Sequence, residues 1–140
     1  MGILINSDTR ILVQGITGNQ GKYHAKLMRE YGTQVVAGTS PGKGGEVIDG
    51  IPVYDTVVEA HEKNAFDTSI IFVPAPFAAE AALEALECDI KRVVMITEHV
   101  PVKDAIFLMN YAKQVNATIV GPNTPGIITP GKCKVGILPA

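Results

Sequence analysis

Gly15, Gly18 and Gly21 recur at every third position in the segment GITGNQG. An apolar run, RILVQ at residues 10–14, precedes them, and a helical pattern opens near Asn19. Strand, glycine turn and helix in that order form an anion-binding element. The unpaired first-turn N–H groups and the positive end of the helix dipole face whatever the turn encloses. Gly18 would let a pyrophosphate reach the backbone, and Thr17, Asn19 and Gln20 can add side-chain hydrogen bonds. The same spacing also suits a tight turn with no ligand. A second loop, GTSPGKGG at residues 38–45, follows the next apolar strand. In a domain that grips NAD, an Asp or Glu near this point would hold the ribose diol. Here the loop supplies Ser40, Pro41, four glycines and Lys43.

A carboxylate in that loop would repel a phosphate, whereas a lysine attracts one. The Coulomb attraction is about 4 kcal/mol at ~4 Å for an effective dielectric near 20, before desolvation and entropy are subtracted. Coenzyme A fits the pair of loops. Its pyrophosphate matches the glycine turn and its ribose 3′-phosphate matches Lys43. NADP, with a 2′-phosphate, is the nearest competitor, and a solvated loop lysine is the other alternative. Pro41 could flank an adenine or simply shape the turn. The segment VPAPF, residues 73–77, is a rigid apolar lip for a pantetheine arm or an adenine face, or else a helix entrance stiffened by proline. ITEHVP, residues 96–101, offers the backbone groups of Ile96, Thr97 and Glu98. Glu98 and His99 are adjacent, and adjacent loop residues often point apart, so no acid–base pair is assigned to them. His24 and His61 fall inside helical patterns and read as surface or packing residues. No Ser-His-Asp, HExxH or paired-carboxylate arrangement occurs, and no catalytic residue is assigned.

These loops need elements to hold them. Apolar runs predict strands at residues 10–14, 34–37, 68–73, 92–97 and 118–121, with a brief extended piece at 51–54. Helical patterns predict helices at 19–31, 56–64, 77–88 and 102–115, the second capped by Asp55 or Thr56. The Pro/Gly-rich remainder reads as an extended hairpin. The strands are continuous apolar runs that alternate with helices, the pattern of a mostly parallel sheet buried on both faces. The expected fold is α/β, a Rossmann-like doubly wound sheet with helices on both faces. In such sheets ligands sit beyond the carboxyl ends of the strands, where these four loops and a fifth, GPNTPG at residues 121–126, all fall.

The chain has 140 residues, 46% of them hydrophobic, which suits one domain (residues 1–140) with a real core. A net charge of −2 offers no nucleic-acid or anionic-membrane surface. No apolar run approaches the roughly 20 residues of a membrane span. The opening MGILINSDTR is too short and too soon polar for a signal peptide. Two cysteines, Cys88 and Cys133, lie far apart without CxxC spacing and read as structural. They argue against a disulfide scaffold or a zinc site and fit a reducing, cytoplasmic setting.

Taken in order, ILI near the start, VQGITGNQGKYH, YGTQVVAGTSPGKGG, GIPVYDTVVEA, IIFVPAPF, ITEHVP and GPNTPGIITPGKCKVGILP resemble the N-terminal domain of the succinyl-CoA synthetase (succinate–CoA ligase) alpha subunit. The resemblance runs through the whole chain. It implies a CoA site at Thr17, Gly18, Asn19 and Gln20, at Lys43, and at Ile96, Thr97 and Glu98. It also implies an ATP-grasp beta subunit as partner. The implied reaction interconverts succinate, CoA and ATP or GTP with succinyl-CoA, the diphosphate and phosphate through a phosphohistidine. That histidine belongs to a second domain of the alpha subunit, and the chain ends at GILPA, where the family's first domain ends. The expectation is therefore a module, fragment or stand-alone, that binds CoA without completing the reaction. The family commonly has Cys in the GPN-x-PG loop, where this chain has Thr124. A role for a thiol there would be lost. The alternatives are an NAD(P)-binding domain of an oxidoreductase or redox-sensing regulator, and an interaction module that has lost its ligand.

Overall fold

The computed structural model describes residues 5–139, so the first two residues of the ILI run lie outside the described span. Its elements, in chain order, are β1 (Arg10–Gln14), α1 (Asn19–Tyr31), β2 (Gln34–Thr39), β3 (Val47–Ile48), β4 (Ile51–Tyr54), α2 (Val57–Lys63) and β5 (Thr68–Ile71). There follow α3 (Ala75–Glu87), β6 (Arg92–Met95), α4 (Val102–Gln114), β7 (Thr118–Val120), β8 (Gly126–Thr129) and β9 (Cys133–Gly136). Seven strands form one sheet in the order β3-β4-β2-β1-β5-β6-β7, parallel throughout except for β3. The expected Rossmann-like α/β fold is the one observed.

Its layering follows from handedness. The chain steps outward from β1 to β2 and β4, then returns past β1 to place β5 on the other side. Right-handed crossovers in opposite directions put their helices on opposite faces. One face packs α2, α3 and α4 over Leu12, Ala37, Ile71, Val93 and Met95. The other packs Ala25 and Met28 of α1 over Ile11, Val13, Val35 and Ile70. A single helix cannot cover that second face. The β8–β9 hairpin, foreseen as an extended hairpin, supplies Cys133 and Val135 to complete it.

Local signals set most boundaries. Gly32, at φ 106°, ends α1 with its N–H on the carbonyls of Arg29 and Met28. Thr56, not Asp55, caps α2, accepting from the N–H of Glu59. The expected helix 77–88 begins two residues earlier, at Ala75, with a proline in its first turn, where a missing N–H costs nothing. The missed strand β3 pairs antiparallel with β4. Asp49 and Gly50, both at positive φ, form the two-residue turn between them.

A buried hydroxyl helps to hold the hairpin at the sheet's far end. Thr33 Oγ1 donates to the Lys134 carbonyl at 2.7 Å and accepts the Lys134 N–H at 2.9 Å. Thr33→Val keeps the shape and orphans both groups. It should lower unfolding free energy by about 2 kcal/mol or more in urea titration, as expected for buried unpaired polar groups. A loss below about 0.5 kcal/mol, the scale of ordinary surface substitutions, would show that water or rearrangement replaces them.

Candidate functional site

The chain leaves β1 and β5 in opposite directions, which opens a crevice at their carboxyl ends. Its floor is rigid. Gln14, buried at the end of β1, donates to the Ala81 carbonyl of α3 at 2.9 Å and accepts from Ser69 Oγ of β5 at 2.6 Å. Gly15 then turns at φ 86°, and its N–H meets the Thr39 carbonyl of β2 at 2.9 Å. The turn is drawn tight against α1: a Cβ on Gly21 would lie 2.2 Å from the Gly15 carbonyl oxygen. Gly18 differs. It has an ordinary φ of −71° and its Cβ would meet only the Gly15 oxygen, at 3.6 Å. The protein's own packing does not require glycine at position 18, which borders the crevice. No side chain caps the first turn of α1 and no acidic residue occupies it, so its dipole is left for an outside anion.

The second loop is bound to the first. The Thr17 hydroxyl donates to Ser40 Oγ at 2.8 Å, and the Thr17 N–H reaches the same oxygen at 3.3 Å. The Lys43 N–H closes the turn onto the Ser40 carbonyl at 3.0 Å. Asp55, from the end of β4, enters this loop from outside: Oδ1 accepts the N–H groups of Gly42 at 2.8 Å and Gly44 at 3.0 Å. Lys43 keeps a half-exposed side chain whose Nζ lies 3.9 Å from Glu46 Oε2. A solvated pair of that length holds the ammonium only weakly.

Thr17, Gly18, Asn19, Gln20 and Lys43 thus line one cleft of about 640 Å³, within the range of small-ligand sites. Phe72, Pro74, Phe77 and Pro41 form its apolar wall. Ile96, Thr97 and Glu98 do not line it. They line an adjoining hollow of about 390 Å³, and Gln20, Phe72, Val73 and Pro74 border both spaces. The Thr97 hydroxyl donates to the Val73 carbonyl at 2.6 Å, and its carbonyl accepts the Asn123 N–H at 3.0 Å. Thr124 accepts the Gly126 N–H at 3.2 Å and so serves its own turn. Sequence reasoning passed over the structural roles of Ser40 and Asp55. Ser40 stood in the quoted loop; Asp55 gave no local signal, because its partners lie 11 and 13 residues away.

A family model described as the CoA binding domain matches residues 6–99. The chain belongs to that family. The match takes in every residue that lines either space except Ile137. The chain is 57% identical to the succinate–CoA ligase [ADP-forming] alpha subunit of Aquifex aeolicus, over 99% of this chain and 46% of that protein. It is 55% identical to the same subunit of Methanothermobacter thermautotrophicus, over 98% and 46%. It therefore spans about half the length of these relatives. Among solved structures, the Methanosaeta concilii ATP citrate lyase in complex with (3S)-citryl-CoA superposes with a TM-score of 0.85 at 23% identity, over 96% of this chain and 24% of that one. At that identity the likeness is one of fold.

In this member of the CoA-binding-domain family the thiols are quiet. Burial, reinforced by Glu84 and Glu87, pushes Cys88 up, and burial pushes Cys133 up. Among the described residues no cluster of His, Cys, Asp or Glu is placed to hold a metal, and no helix is long and apolar enough to cross a membrane. Burial, then the Lys134 ammonium, holds His24 below its ordinary value of 6.5.

Two outcomes follow from this geometry. Gly18→Ala should unfold at the wild-type denaturant midpoint, whereas Gly21→Ala should lose stability, since its Cβ meets backbone that cannot yield; equal midpoints would contradict the close approach. The second concerns His24, which Lys134, Glu30 and Tyr31 face across a shared hollow. Because its folded value is depressed, the unfolded chain takes up the proton first as pH falls. Its stabilisation is complete above pH 6.5 and is lost as pH drops through the folded value. His24→Phe should flatten the stability profile as pH falls below about 7; an unchanged slope there would contradict the assignment.

Proposed function

We propose that the chain is the CoA-binding domain of the alpha subunit of a succinate–CoA ligase, with a site built from Thr17, Gly18, Asn19, Gln20, Lys43, Ile96, Thr97 and Glu98. The observation that carries the reading is the pairing of an uncapped helix N-terminus with a lysine-bearing loop in one cleft. The first-turn amides and the side chains of Asn19 and Gln20 hold the CoA pyrophosphate. Lys43 meets the ribose 3′-phosphate. The pantetheine arm crosses the apolar border formed by Phe72 and Pro74 and lies along the backbone of Ile96, Thr97 and Glu98. Asp55 stands after β4 rather than after β2, and its Oδ1 serves the loop by accepting the amides of Gly42 and Gly44.

In this reading the chain's part in the reaction is to orient CoA and present its thiol. Acyl activation and the phosphohistidine belong to a second alpha-subunit domain, and the ATP or GTP site belongs to an ATP-grasp beta subunit. The chain alone binds CoA and does not turn over. Its place is the cytoplasm, in keeping with two free cysteines.

Lys43→Ala should weaken CoA about tenfold in calorimetric titration, the scale of one charge-assisted contact, and leave dephospho-CoA nearly unchanged. Equal weakening of both ligands would contradict the 3′-phosphate assignment.

A further inference from the structure

Gln20, an exposed residue, stands where the cleft meets the adjoining hollow. His24, one helical turn on, places Nε2 3.1 Å from Gln20 Oε1. The imidazole stacks on Phe72, with centroids 5.8 Å apart and planes 5° from parallel. Its other nitrogen, Nδ1, is enclosed and has no hydrogen-bond partner among the described residues. That asymmetry selects a tautomer. A buried N–H without an acceptor is rarer than a buried acceptor without a donor, and Gln20 Oε1, an amide oxygen, can only accept. The proton therefore resides on Nε2 and is donated to Gln20 Oε1. A second proton on Nδ1 is disfavoured by burial and by Lys134. An amide whose oxygen is engaged in one direction presents its two N–H donors in the other.

We infer that His24 is a positioning residue that locks the Gln20 amide with its N–H donors turned to the cleft, where they meet the ligand pyrophosphate. The inference rests on the CoA reading above and deepens it. A free glutamine amide can turn either end to an anion, and its oxygen end repels one. Fixing the donor end in advance removes that ordering step from binding. His24 touches no ligand atom in this account.

The test is a double-mutant cycle on the 140-residue chain, with CoA affinity measured by calorimetry for wild type, Gln20→Ala, His24→Phe and the double variant. Phenylalanine keeps the stack on Phe72 and removes the donor. His24→Phe should weaken CoA about fivefold in the wild-type background and leave it nearly unaltered when Gln20 is already alanine. Dephospho-CoA should show the same factors, because the effect is at the pyrophosphate. His24→Gln, whose amide can donate from a similar position, should retain affinity within about twofold. It keeps the test decisive if the phenylalanine variant folds poorly. An equal loss in both backgrounds, or failure of the glutamine variant to rescue, would overturn the positioning role while wild-type binding left the CoA reading intact. A wild-type chain that ignores CoA would overturn both.

Discussion

Parallel strands joined by right-handed crossovers cannot change direction without leaving a gap. Here that reversal falls between β1 and β5, and the remaining architecture answers to it. It assigns α1 to one face and three helices to the other. It obliges a terminal hairpin to complete the thinly covered face. It also sends two loops away from each other at the strand ends, so that a crevice is built into the topology. Gln14 braces the floor by tying β1 to β5 and α3. The crevice is thus held open by buried amide contacts, and a ligand finds it already shaped.

Within that crevice the two glycine-bearing loops carry different burdens. Gly15 and Gly21 serve the protein, one by its left-handed turn and the other by letting α1 approach the turn's carbonyl. Gly18 has room for a Cβ among the protein's own atoms and borders open space. Residues that the packing does not need but the cleft does are where binding chemistry is read. The same reasoning applies to the second loop. Asp55 and Ser40 set its shape, and Lys43 is left with only a long, solvated ion pair. A charged group held so loosely is available to a phosphate.

Much of this was legible in the residues. Continuous apolar runs marked the parallel strands because both of their faces are buried, and the glycine turn with its lysine-bearing companion located the cleft. The Asp49–Gly50 turn was equally legible as a two-residue hairpin signal, yet β3 was passed over because two residues make no hydrophobic pattern. The segment VPAPF reads as an apolar lip or a proline-stiffened helix entrance, and α3 does open there, at Ala75 rather than Phe77, because a proline in a first turn costs no hydrogen bond. Contacts across the sequence were beyond reach. Nothing local links Asp55 to the amides of Gly42 and Gly44. The four-residue spacing of Gln20 and His24 was visible, but the packing of Phe72 against the imidazole, which gives that spacing its meaning, arises only when β5 lies beside β1. Ile96, Thr97 and Glu98 were grouped with the other site residues, and the structure gives them a separate hollow that joins the first at Gln20.

The central claim is that a helix N-terminus and a lysine loop, without a diol-gripping acid, select CoA over the redox dinucleotides. Parallel calorimetric titration of the unmodified chain with CoA, NADP and NAD tests it most directly. The account predicts saturable heat with CoA alone. Binding of NADP or NAD with no response to CoA would contradict it.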